Sequence, residues 1–216
     1  MKSPTTFPLI KEESQKIGLE LSEETINQFE AYLHELMKWN QKINLTGHKE
    51  EKFIIGNLFI DSLAFHKVLK EKKSGSVLDV GSGAGFPGLP LKMSEPKLSV
   101  TLVEPNLKKV SFLHHLIGTL ELKNVEVEPK RIEDLSKSKK YENLFDFIFL
   151  KALRFDVCLP YVRPLLSDEG KLILSRSKKN EKTEETPGFF VHEEIFYELP
   201  FGFGERVLIV LSPTNN

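Results

Sequence analysis

Three glycines at alternate positions, Gly81, Gly83 and Gly85, interrupt the chain just after the β-type run Ser76 to Val80. An apolar segment, Phe86-Pro-Gly-Leu-Pro90, follows and can open a helix. Glycine reaches positive φ without steric penalty and lets a backbone approach a ligand with no Cβ in between. A strand, a glycine turn and a helix start, in that order, make a cradle for a nucleotide-type cofactor.

The rest of the chain says which architecture carries the cradle. Short apolar runs at Val77–Val80, Val100–Glu104, Val125–Glu128, Phe145–Leu150 and Lys171–Ser175 read as buried strands. Helix-like stretches separate them, clearest at Leu107–Leu120 and Val157–Leu166, so the expected core is a parallel sheet with helices on both faces. Glu193–Leu199 and Arg206–Leu211, either side of Phe-Gly-Phe-Gly, read as an antiparallel hairpin. Asn180–Gly188 reads as a polar, mobile connection. Upstream, Ser22-Glu-Glu caps a helix whose apolar side (Ile26, Phe29, Leu33, Leu36, Met37) ends near Asn40. A loop to Gly47, a second helix from about Glu50 to Leu69 and a linker at Lys72–Gly75 complete this part.

The expected fold class is therefore α/β. It is a doubly wound, Rossmann-like class I methyltransferase sheet of five parallel strands plus a C-terminal antiparallel hairpin. An N-terminal helical extension is expected over residues 1–74 and the methyltransferase domain over 75–216. The hairpin is what favours this variant, since a dinucleotide fold more often continues with parallel strands.

Which cofactor the cradle takes is a question of charge. Gly83-Ala-Gly85-Phe-Pro-Gly88 satisfies the dinucleotide fingerprint literally. Yet Asp79 closes the first strand directly behind the turn, where a carboxylate repels a pyrophosphate and suits an ammonium and a sulfonium. Pro87 also removes an N–H where a phosphate needs donors. S-adenosylmethionine fits better than NAD. Asp79 has a second reading, as a turn-stabilising acceptor of loop N–H groups, and both roles are compatible. Glu104 closes the second strand, where an acid accepts hydrogen bonds from both ribose hydroxyls. The segment after the third strand, around Ile132 and Glu133, lies beside the adenine in such folds; an acidic first helical turn is the alternative reading.

These residues resemble the methyltransferases that modify guanine N7 in bacterial 16S ribosomal RNA, first called glucose-inhibited division protein B. The resemblance runs from about Phe29 to Leu211. It is carried by Lys38-Trp-Asn-Gln-Lys-Ile-Asn-Leu-Thr46, by Asp61-Ser62, by the Asp-Val-Gly-Ser-Gly-Ala-Gly-Phe-Pro-Gly-Leu-Pro loop, and by Glu104-Pro-Asn-Leu-Lys-Lys-Val-Ser-Phe-Leu113. It implies that Gly81 and Phe86 line the cofactor pocket, with Ile132 and Glu133 on the adenine side. Lys151 stands at the end of the fourth strand where the family usually has Arg. Two more departures fall on the substrate side: Asn57-Leu58 replaces a basic-His pair, and Arg176-Ser177 replaces Lys-Gly.

The cofactor set is thus Asp79, Gly81, Gly83, Gly85, Phe86, Glu104, Ile132, Glu133 and Lys151. The set expected to face RNA is Lys38, Asn40, Asn44, Arg154 and Arg176. No catalytic base is assigned, because guanine N7 carries a lone pair and no proton, and catalysis by positioning suffices. Phe86 and Trp39 are candidates for stacking on a splayed base, with helix-end packing the favoured reading of Trp39. No metal is expected: His114 and His115 are adjacent and point apart on a helix.

The expected partner is 16S rRNA, within the 30S subunit or an assembly intermediate, with no membrane and a monomeric state. A formal charge of −1 disfavours tight binding to naked nucleic acid except through a local patch. It keeps open a methyltransferase of small molecules or proteins, and a non-catalytic nucleotide-binding module. A lone cysteine, Cys158, and the lack of an apolar leader in Met1–Ile10 point to the cytoplasm.

Overall fold

The computed structural model describes residues 6–69, 72, 74–177 and 186–214. Its sheet has seven strands: β1 (Gly75–Val80), β2 (Leu98–Val103), β3 (Val125–Glu128), β4 (Phe145–Lys151), β5 (Leu166–Ser177), β6 (Phe189–Leu199) and β7 (Gly204–Pro213). They lie in the order β3-β2-β1-β4-β5-β7-β6. The first five are parallel, and β7 runs antiparallel between β5 and β6. The order reverses beside β1, so the crevice beyond the carboxyl ends of β1 and β4 is where a ligand belongs.

The central parallel strands β1 and β4 are largely apolar on both sides, and strand alternation sorts their residues between two layers. Val77, Phe147, Phe149 and Ile173 face one core; Leu78, Val80, Ile148, Leu150, Leu172 and Leu174 face the other. The second core is covered by α7 (Ile132–Leu135) and α8 (Phe155–Val162). The first is covered by α5 (Gly88–Ser94) and α6 (Leu107–Thr119), together with the N-terminal helices. Ile10, Phe29, Leu36 and Phe59 belong to the same buried cluster as Val77 and Leu102, so residues before the sheet share its core.

Those helices are α1 (Thr6–Lys16), α2 (Glu23–Asn40) and a broken third one. Ser22 caps α2, its hydroxyl accepting from the Thr25 N–H at 3.1 Å. Where one helix is expected from about Glu50 to Leu69, the chain forms α3 (Glu51–Ile54), a π-helical segment (Ile55–Ile60), α4 (Asp61–Leu63) and a 3-10 turn (Ala64–Lys67). A π-segment admits one extra residue into the turn and is found at functional sites. It carries Asn57 and ends beside Asp61.

Other expectations shift in their limits. Gly75 is already the first residue of β1. The helix expected to reach Leu166 stops at Val162, and a 3-10 turn with Pro164 at its start delivers Leu166 as the first residue of β5. Most of the Asn180–Gly188 connection (180–185) lies outside the described residues. Among the described residues no helix is long and apolar enough to cross a membrane.

Candidate active site

The glycine turn is shaped by positive φ at Gly81 (67°), Gly83 (59°) and Gly85 (99°). At Gly85 the need is steric as well, because a Cβ there would meet Leu89 Cδ1 at 2.6 Å and the Tyr32 hydroxyl at 2.8 Å. Tyr32, from α2, is wholly buried and donates to the Ala84 carbonyl at 2.5 Å. An N-terminal helix therefore clamps the turn from behind.

Asp79 sits beneath the turn at 1% exposure. Its Oδ2 accepts from the Gly88 N–H at 2.8 Å, fixing the first turn of α5. The turn-stabilising role is therefore real. Among the described residues its buried Oδ1 has no hydrogen-bond partner, and neither has the buried Ser82 hydroxyl. Burial pushes the Asp79 carboxyl up to about 7, a shift that the Gly88 bond and the charge of Lys151 oppose and that Glu104 adds to. Glu104, at the end of β2, accepts from Gly83 N–H through Oε2 and from Asn106 N–H through Oε1, each at 2.9 Å. A carboxylate has about four lone-pair positions, so both oxygens retain acceptor capacity for ribose hydroxyls. Ile132 is buried at the start of α7, with Glu133 beside it half-buried.

Phe86 is buried in the core. Its ring stacks on Tyr32 (5.1 Å between centroids) and meets Phe59 edge-on, leaving no free face for a base. Trp39 packs edge-on against Phe112 and over His115, which is the helix-end packing favoured for it.

A second cavity, of about 540 Å³, opens beyond the carboxyl ends of β4 and β5. Lys151, Arg176 and Arg206 line it, with Asn57 and Asp61 from the broken helix. Lys151 Nζ is 2.7 Å from Asp61 Oδ2 and donates to the Asn57 carbonyl at 3.2 Å. The Tyr197 hydroxyl, from β6, donates to Asp61 Oδ1 at 2.7 Å. Asp61 thus ties the sheet's two halves to the N-terminal helices, and both its oxygens are engaged. Arg176 lies over the Phe155 ring at 4.1 Å, a cation–π contact that keeps the guanidinium at the rim. Leu153 belongs to this cavity too, and it packs over the cradle: a Cβ on Gly81 would meet its Cδ1 at 2.9 Å.

The other residues expected to face RNA are spread differently. Arg154 is exposed and pairs with Asp156 at 2.6 Å. Lys38 pairs with Glu35, which also bonds His115. Asn40 is committed internally: its Oδ1 accepts from Leu45 and Thr46 N–H, and its Nδ2 donates to the His48 carbonyl. It thereby holds the loop that brings His48 to the second cavity. Asn44 is exposed on that loop. Tyr197 and Arg206 were not singled out from sequence; Asp61 and Asn57 entered only through the family resemblance, as a shared Asp-Ser pair and as a departure on the substrate side, with no role given to either side chain.

Five parallel strands closed by an antiparallel pair, with a carboxylate rather than phosphate donors behind the glycine turn, define an S-adenosylmethionine-dependent methyltransferase. The residues fit that cofactor, since buried acceptors without partners stand where its cationic end would lie. The chain belongs to the family described as GidB, rRNA small subunit methyltransferase G, whose model it matches over residues 25–206. It is 34% identical over 212 residues to the ribosomal RNA small subunit methyltransferase G of Alkaliphilus oremlandii, covering 94% of this chain and 89% of that one. Against the protein of the same description from Staphylococcus saprophyticus it is 36% identical over 203 residues, covering 90% and 84%. A crystal structure of an S-adenosylmethionine-dependent methyltransferase from Aquifex aeolicus shares the fold, with TM-score 0.53 and 24% identity over 75% of this chain and 93% of that one.

Proposed function

We propose that this methyltransferase acts on N7 of a guanine in the decoding-region loop of 16S rRNA, in the 30S subunit or an assembly intermediate. Asp79, Gly81, Gly83, Gly85 and the backbone at Phe86 frame the methionine end of the cofactor. Glu104 takes the ribose, and the chain at Ile132 and Glu133 takes the adenine. Bound S-adenosylmethionine supplies a methyl group on an electrophilic sulfonium. N7 attacks it with its own lone pair, so the protein removes no proton and works by alignment. Methylation places positive charge on the base. The carboxylate of Asp61 offsets the Lys151 cation, which would otherwise oppose that charge. Arg176 and Arg154 sit where RNA phosphates would pass.

The observation that carries this reading is the position of Leu153. It lines the basic cavity, and its Cδ1 occupies the space that a Cβ on Gly81 would need, so the proposed substrate pocket and cofactor cradle adjoin across one side chain. The test is transfer of labelled methyl to 30S subunits from a strain lacking the modification. Label is expected at a single guanine N7 in 16S rRNA. Labelling of proteins or small molecules instead would move the chain to another substrate class.

A further inference from the structure

Phe86 and Trp39, the two candidates for stacking on a splayed base, both have their rings engaged in packing. The basic cavity has rings of its own. That of Phe155 is covered by the Arg176 guanidinium. His48 lines the cavity and is exposed, and its imidazole stacks on Phe53 with 3.5 Å between centroids and 26° between planes. Among the described residues no second ring packs on His48, so its outer face is the one a ligand meets.

Three separate segments build this stack. The loop after α2 holds His48 by its backbone: the His48 carbonyl accepts from Asn40 Nδ2 at 2.9 Å and from the Thr46 hydroxyl at 2.8 Å. Phe53, on α3, also packs on Phe203 at 5.4 Å, and Phe203 meets Phe201 edge-on at 5.7 Å, both between β6 and β7. Gly56 admits the Phe203 ring, which a Cβ there would meet at 2.7 Å. Phe201 stands at φ 63°, where glycine or asparagine is the comfortable residue, yet it keeps an exposed ring with Lys52 over it at 4.5 Å. A bulky side chain at positive φ is an outlier of the kind that gathers at ligand sites.

Rings interleaved with cations are how proteins hold single-stranded nucleic acid, the rings taking bases and the cations the backbone. The cavity lining has three cations, Lys151, Arg176 and Arg206, against one carboxylate, Asp61, in a chain whose formal charge is −1. We propose that His48 is the platform for an unpaired base next to the methylated guanine, with Phe53 backing it. This deepens the function proposed above and rests on it. The guanine itself belongs at the Leu153 side, which adjoins the glycine turn after β1. Phe203 leads into β7, three strands from β1 and about 14 Å away at the usual strand spacing. The stack behind His48 thus leans on the far side of the cavity, where a neighbouring base falls. Every base has a π-face, so this contact anchors the strand and reads no sequence.

The test reads binding, and pairs removal of the ring with removal of the base. The ligand is the 30S subunit lacking the modification, bound in the presence of S-adenosylhomocysteine. Its 16S rRNA is intact, or abasic at the nucleotide before or after the target guanine. His48→Ala and His48→Ser remove the ring; His48→Phe keeps one. On intact rRNA the first two should weaken Kd at least about fivefold, and His48→Phe should stay within about threefold of wild type. On one of the two abasic rRNAs, wild type and the ring-free variants should bind within about twofold of each other, because the ring has lost its partner. Calorimetric affinity for S-adenosylmethionine should stay within about threefold of wild type in at least one ring-free variant, which shows a folded cradle. Equal weakening in that variant on intact and both abasic rRNAs would overturn the assignment and point to a ribosomal protein contact or to packing. No weakening at all would overturn it too. Absence of methyl label on intact 16S rRNA with the wild type would instead overturn the rRNA reading, and this inference with it.

Discussion

The glycine cradle and the basic cavity proposed for the substrate lie side by side, yet they are made in opposite ways. The cradle is one contiguous turn, Asp79 to Gly88, closed by a single acid from the next strand. Its recognition surface is backbone shaped by φ, with few side chains in play. The pocket draws on His48, Asn57, Asp61, Lys151, Arg176 and Arg206, which come from five separate stretches of chain. It is held by side-chain bonds, chiefly those that meet at Asp61. A backbone cradle fails when its conformation is lost; a side-chain pocket fails when one charge loses its partner.

The largest expected effect breaks the cradle alone. In Gly85→Val a β-branched side chain would sit at φ 99°, against Leu89 and the Tyr32 hydroxyl. Strain and overpacking together should cost about 3 kcal/mol or more, and cofactor binding should fall below detection. Thermal unfolding and calorimetry read both. A variant that melts and binds like wild type would remove the steric account of the turn.

Next comes the centre of the pocket. Asp61→Ala takes the carboxylate from the largely buried Lys151 ammonium, leaving it only the Asn57 carbonyl, and leaves the Tyr197 hydroxyl without its acceptor. The expected loss is about 3 kcal/mol of stability, with rRNA methylation abolished. Cofactor affinity, measured on protein well below its melting temperature, should change by less than about threefold, because the site lies outside the cradle. A loss of cofactor binding as large as the loss of methylation would show that the two regions are one.

The same contrast explains what the sequence disclosed. Glycine spacing, a strand-terminal acid and strand–helix alternation are local signals, so the cradle and the sheet were legible before any coordinates. Pairing across the sheet was not. Nothing in the sequence near Tyr197 says that its hydroxyl reaches Asp61, because 136 residues separate them. Lys151 was legible as a cation at a strand end, but its neutralisation by Asp61 depends on a helix that the π-segment re-aims. Phe86 shows a second limit of local signals. It sits within the cofactor motif, yet its ring packs against Tyr32 and Phe59 because a buried aromatic gains more from a core than from the rim.

A smaller effect separates the regions by pH. Asp79 is pushed up to about 7 by burial, so near neutrality the free protein holds a mixed population of acid and carboxylate. A carboxyl raised above its unfolded value contributes stability below that value and loses it as pH rises through the folded one. The free protein should therefore become less stable from about pH 4 to about pH 7 through this group. Cofactor binding runs the other way, since a cationic ligand requires the ionised form. Affinity should fall about 25-fold from pH 7.5 to pH 5.5, with proton release on binding near neutrality. Asp79→Asn should flatten that dependence; an unaltered slope would remove Asp79 from the cofactor's ionic partners.

The smallest effect tests whether the comparison itself is complete, for Tyr32 lies outside both regions by sequence and yet contacts one of them. It comes from the N-terminal helix α2, donates to the Ala84 carbonyl inside the cradle, and stacks on Phe86. Tyr32→Phe keeps the ring and its packing while leaving that carbonyl without its donor. The expected cost is about 1 kcal/mol of stability, and cofactor affinity should weaken by about threefold. Methylation at saturating cofactor should be unchanged, because the pocket contacts at Asp61 and Asn57 do not involve Tyr32. A fall in kcat with no change in cofactor affinity would mean that α2 acts on the substrate pocket directly and not through the glycine turn.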